Sequence, residues 1–134
     1  MFALFAVLAA CESVNLYVSL LDGLQSSTCS ELQPCLSLGQ ALGQYNGSDG
    51  DDLLLWLAPG VYQGAENLNF LLPAVNVSLQ KWETTSPGEV VLDGEDTYER
   101  CLTARGPLAL KEIILKGCEN GFCLTLLIIW ICWS

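Results

Sequence analysis

Histidine is absent from this chain, methionine occurs once, and lysine and arginine together number only 5 of 134 residues. Without imidazole, a Ser–His–Asp triad and a histidine acid–base are excluded, and so is any zinc site built on histidine. The 5 basic side chains face 15 acidic ones, a formal net charge of 5 − 15 = −10. A surface of that sign repels phosphate backbones, and no basic stripe offsets it, so nucleic acid is not expected as a partner. There is also no apolar run of the roughly 20 residues that a membrane-spanning helix needs. The length suffices for one modest core.

What the chain does have in quantity is apolar residues, 51% of the total, and part of these sit at its two ends. Residues 1–10, MFALFAVLAA, are uncharged and followed by small residues, as in the apolar part of a secretory signal, although no Lys or Arg precedes them. Cleavage near Ala10 or Ser13 would start the mature chain at VNLYVSLLDG. Two other readings are ranked lower: Leu8–Cys11, LAAC, as a lipobox with Cys11 lipidated, and a buried first helix. The provisional division is therefore a signal peptide over 1–13, a folded unit over 14–123, and an apolar tail over 124–134. That tail, LTLLIIWICWS, is too short to span a membrane and is expected to be a cut-off rung or a misread terminus.

Seven cysteines agree with export into an oxidising compartment. Loss of Cys11 with the signal leaves Cys29, Cys35, Cys101, Cys118, Cys123 and Cys132, which allow fifteen connectivities. Short loop closure favours Cys29–Cys35, with Cys101–Cys118 or Cys118–Cys123 next. Loose C-x5-C and C-x4-C spacings do not complete a tetrahedral metal set, so disulfides are preferred and no metal or other cofactor is expected. Two sequons, at Asn46 and Asn76, are candidate glycosylation sites. Asn46 lies in the loop NGSDGDD, whereas Asn76 lies on an expected strand and would have to face outward. Three Asp in that loop invite calcium, but the twelve-residue calcium-loop spacing is missing and a solvated turn is the simpler reading.

VNLYVSLL reads as a strand and DGLQSSTCSELQPC as a stapled loop. In residues 37–45, Leu38, Ala41, Leu42 and Tyr45 recur at i, i+3, i+4 and i+7, one face of a short helix. Ser37 and Gln40 match a capping box, while Gly39 and Gly43 each weaken the helix by up to about 1 kcal/mol. From Leu53 onward come short apolar runs, LLLWL, LNFLL, VNVSLQKW, VVL and LALKEIIL, broken at APG, PA, TTSPG, DGED, RGP and KGCENG. Runs this short suit strands, and without intervening helices they do not form an alternating α/β sheet. An antiparallel sandwich and a parallel solenoid remain. The solenoid accounts for LLLWLAPGVY: LLLWL faces inward, Pro59 and Gly60 turn a corner, and Val61 and Tyr62 open the next face.

The segments YVSLLDG, PCLSLGQAL, DDLLLWLAPGVYQG, NLNF, VNVSLQ, GEVVLDG and LALKEIILKG together resemble the N-terminal capping region of secreted right-handed parallel β-helix proteins, the pectin-lyase-like superfamily. The likeness spans roughly residues 15–123 and is carried chiefly by PCLSLGQAL and LAPGVY. It implies an all-β fold: a fragment of a single-stranded, right-handed parallel β-helix with a short N-terminal capping helix.

The superfamily includes polysaccharide lyases and hydrolases, so acidic and basic side chains need weighing one by one. Asp93, Glu95 and Asp96 in LDGEDTYER are the carboxylates available for hydrolysis, and Arg100 and Arg105 the bases for a lyase. Asp93–Gly94 is ordinary turn chemistry, both arginines adjoin turns, and no catalytic residue is carried over. Trp56, Trp82 and Tyr62 would form a sugar-stacking platform if they faced outward, but are expected in the core. The expected function is a non-catalytic, secreted or cell-surface module that is adhesive or presents a ligand, with a carbohydrate or cell-surface protein as partner. Self-association through an open C-terminal edge is a further expectation. The alternative is a fragment of a pectin-lyase-like polysaccharide lyase or hydrolase.

Overall fold

A computed structural model of the chain describes residues 13–25, 28–45, 51–84, 87–98, 101–118 and 123–124. The expectations placed on the leader, Cys11, Asn46, Asp49, Arg100, Cys132 and residues 125–134 lie outside them, and of Cys123 only the backbone is described. The strands are β1 (Ser13–Val18), β2 (Asp52–Leu57), β3 (Gly60–Tyr62), β4 (Phe70–Leu71), β5 (Val77–Lys81), β6 (Val90–Tyr98), β7 (Leu102–Ala104), β8 (Leu108–Lys111), β9 (Ile113–Cys118) and β10 (Cys123–Leu124). Among the described residues one helix, α1 (Leu38–Gln44), lies between β1 and β2.

The fold is all-β, and its strands form three parallel sheets. The first has the order β1-β2-β5-β8, the second β3-β6-β9, and the third β4-β7-β10. From β2 onward each strand therefore pairs with the one three places later. Every pairing between these strands is parallel, which rules out the antiparallel sandwich. The step between paired residues is uneven: 77 − 53 = 24 from β2 to β5, and 108 − 77 = 31 from β5 to β8. No fixed repeat is consequently visible in the sequence.

The first sheet shows why contiguous leucines suit this arrangement. Its register stacks Leu16, Leu55, Leu79 and Leu110 in one row, and Val14, Leu53, Val77 and Leu108 in the next. These positions face a single core, shared with Tyr62, Val90 and Leu92 of the second sheet and Leu102 and Ala104 of the third. The alternate residues, Asn15, Tyr17, Leu54, Trp56, Ser78 and Gln80, take the opposite face, as the two-residue period requires.

The helix begins as the sequence predicts, with Ser37 as N-cap accepting the Gln40 N–H at 3.1 Å. The rest of the expected capping box differs. Gln40 Oε1 accepts from Leu36 N at 3.1 Å, one residue further back, and its amide donates to the carbonyls of Leu24 and Gln25. The buried Asn67 supplies a second cap, its Oδ1 accepting from Leu38 N at 2.8 Å. Leu38 and Ala41 are fully buried, and Leu42 and Tyr45 pack against the same core.

Two expected boundaries move. LALKEIIL is not one run: β8 and β9 belong to different sheets and are separated by Glu112, a corner with φ 58° and neither Gly nor Pro. Conversely DGED does not end a strand. It lies inside β6 as an irregularity, with Glu95 and Asp96 at positive φ. Here the backbones of β6 and β9 approach so closely that a Cβ on Gly94 would stand 2.5 Å from Gly117 O, which requires glycine.

Tyr62, expected in the core, is fully buried, and its hydroxyl donates to Ala58 O at 2.7 Å across the APG corner. Burial raises its phenol pKa above the ordinary value. The unfolded chain ionises this group near pH 10 and the folded chain only higher, so the folded state holds more protons in between. Stability should thus fall as pH rises above about 10. Tyr62→Phe should remove that component of the alkaline slope and cost about 1 kcal/mol at neutral pH through the lost hydrogen bond. Urea midpoints at pH 7 and pH 11 check both effects. Tyr17 and Tyr45, also raised, leave a residual slope.

Candidate binding face

The outward face of the first sheet carries the residues that a ligand could meet. Tyr17 and Trp56 are register partners on β1 and β2, and their rings stack with centroids 5.9 Å apart and planes 11° from parallel. Trp82, just beyond β5, meets Tyr17 edge-on at 5.0 Å. All three side chains are half-buried, and Trp56 Nε1 donates to Asn15 Oδ1 at 3.0 Å, which fixes the indole against its neighbour. The core placement expected for Trp56 and Trp82 is therefore corrected: strand alternation turns Trp56 away from Leu55 and Leu57. Tyr17, which joins them, carried no signal of its own. Only the pairing of β1 with β2 brings it to Trp56. Burial first, and then the Glu31 carboxylate, hold its phenol above the ordinary range, so it remains a neutral donor at physiological pH.

Beside the aromatic rings the same face is hollow. A cleft of about 280 Å³ lies over β2, β5 and β8, and its rim includes Asp52, Leu54, Asn76, Gln80 and Lys111. Its physical origin is side-chain size: Ser78 and Ala109 continue the row that begins with Asn15 and Leu54, so the surface drops where the side chains shorten. Exposed Asn76 donates from Nδ2 to Asp52 Oδ1 at 3.1 Å, and Gln80 Nε2 donates to Ser78 Oγ at 3.3 Å. Asn76 thus faces outward, as its sequon requires.

Of the carboxylates weighed for catalysis, Asp93 is engaged in turn chemistry. Asp93 Oδ1 accepts from Glu95 N at 2.9 Å, while Oδ2 faces Gln63 Nε2 at 3.5 Å and Lys116 Nζ at 4.0 Å. Arg105 donates from Nε to Leu72 O at 2.9 Å, tying a corner to the third sheet. Among the described residues no three Cys, Asp or Glu side chains converge to hold a metal ion. Of the loop acids, Asp51 accepts the Tyr45 hydroxyl at its carbonyl and Asp52 belongs to the cleft.

Among the described residues the disulfides are Cys29–Cys35 and Cys101–Cys118, and Cys118 is therefore not available to the alternative partner Cys123. Cys35 also forms parallel bridges with Val18 and Leu24, holding the first loop against β1. Two disulfides fit a protein of an oxidising compartment. No protein-family model, no curated protein and no solved structure matches the chain.

Proposed function

We propose that this chain is the N-terminal end of a right-handed parallel β-helix of the pectin-lyase-like kind, exported from the cell, and a non-catalytic module that binds carbohydrate on the outer face of its first sheet. The observation that carries the binding role is the placement of Tyr17, Trp56 and Trp82 on the outward positions of that face. Large rings left half-exposed beside a hollow whose rim carries Asp52, Asn76 and Gln80 offer the apolar surface and hydrogen-bonding partners that sugars use. The solenoid reading is supported by the return of every third strand to the same sheet and by a capped helix packed next to β1. Export is supported by the two disulfides and the apolar leader. Asp93 and Arg105 are engaged in holding turns, which disfavours the enzymatic alternative.

Trp56→Ala tests the binding role. Titration of the full chain with oligosaccharides, followed by tryptophan fluorescence and calorimetry, should give affinity reduced at least about tenfold in the variant, which should still unfold cooperatively at a cost of about 1–3 kcal/mol. Unchanged affinity would remove the aromatic face from the function, and cleavage of a polyuronate by the chain would favour the enzyme instead.

A further inference from the structure

Resting on that reading, we propose that the cleft takes a neutral glycan, an uncharged hexose or pentose polymer, and that Asp52 and Asn76 recognise neighbouring hydroxyls of one sugar ring. The charge distribution argues first. Among the described residues, the only charged side chains lining the hollow are Asp52 and Lys111, one of each sign. An acidic polysaccharide would meet a single exposed lysine, no arginine fork and a carboxylate on the opposite rim, on a chain of net charge −10.

Hydrogen-bonding capacity argues second. The Asn76–Asp52 contact sets an amide beside a carboxylate, with Asp52 Oδ2 and Asn76 Oδ1 as acceptors and the second Asn76 N–H as donor. Adjacent sugar hydroxyls present matching donors and acceptors at that spacing. Bonds to an ionised acceptor are the strong ones, so Asp52 should contribute more than Gln80 or Ser78.

Shape argues third. A hollow of about 280 Å³ stands at the small end of ligand clefts and suits a single ring. Gln80, on its rim, is the register partner of Trp56 one strand away, roughly 4.8 Å. A linear oligosaccharide seated in the hollow therefore continues directly across the indole.

The experiment compares cellohexaose, mannohexaose and xylohexaose with hexagalacturonate on the full chain, produced without N-glycosylation because Asn76 Nδ2 is the atom a glycan would occupy. At least one neutral hexasaccharide is expected to bind, with affinity unchanged between low and high salt. Asp52→Ala should weaken it about tenfold, and Lys111→Ala less than twofold. Salt-sensitive binding of hexagalacturonate alone, or an Asp52→Ala variant of full affinity, would overturn the neutral-glycan assignment while leaving the carbohydrate role standing. No binding of any of the four would overturn both.

Discussion

Leu55→Ala is expected to lower the stability of the chain by roughly 3–5 kcal/mol. Leu55 is fully buried and lies between Leu16 and Leu79 in the central row of the first sheet, so truncation removes packing on both sides at once. Parallel strands held in register on either side cannot slide together to refill the space, which places the cost at the upper end for a leucine. That is a large share of the roughly 5–15 kcal/mol available to a domain. The adjacent Leu54→Ala is the control. Leu54 is half-buried on the opposite face, in the cleft wall, and its loss should cost less than about 1 kcal/mol. Urea unfolding of both variants measures the contrast. Equal losses would mean that the two faces of β2 are not distinguished as described.

Replacement of Cys101 and Cys118 by alanine is expected to cost about 3 kcal/mol under oxidising conditions, the chain-entropy value for a closed loop of this length. The bridge spans 17 residues and joins the residue before β7 to the end of β9, linking the third and second sheets. Both cysteines are buried, so the loss is not relieved by solvent. Cys29 and Cys35 close a separation of only 6 residues, and the same argument gives about 2 kcal/mol for that pair. Urea midpoints with and without dithiothreitol provide the test: reductant should destabilise the parent chain by more than it destabilises a variant in which Cys29, Cys35, Cys101 and Cys118 are alanine. A parent chain insensitive to reductant would show that the bridges do not form in solution.

The helix and the local bridge were legible from neighbouring residues alone. The spacing of Leu38, Ala41 and Leu42, capped by Ser37, marks a helical turn in the local sequence, although seven residues with two glycines need the packing of the core to hold it. Cys29 and Cys35 are close along any chain path. The corners were harder. Glu112 turns the chain at φ 58° without glycine, so LALKEIIL read as continuous although it serves two sheets. The aromatic face was harder still, because Tyr17 and Trp56 are 39 positions apart and meet only through β1–β2 register.

The division follows from the range of the forces. Composition and short-range pattern determined the excluded histidine chemistry, the β character, the capped helix and the local Cys29–Cys35 bridge, since each rests on residue types or on residues within a few positions of one another. Tertiary structure alone decided which face each aromatic takes, that Asp52 lies beside Asn76, and that Cys118 pairs with Cys101. Those outcomes depend on how many residues each connection consumes between paired strands, and a shift of one residue would exchange inward for outward side chains along a whole strand.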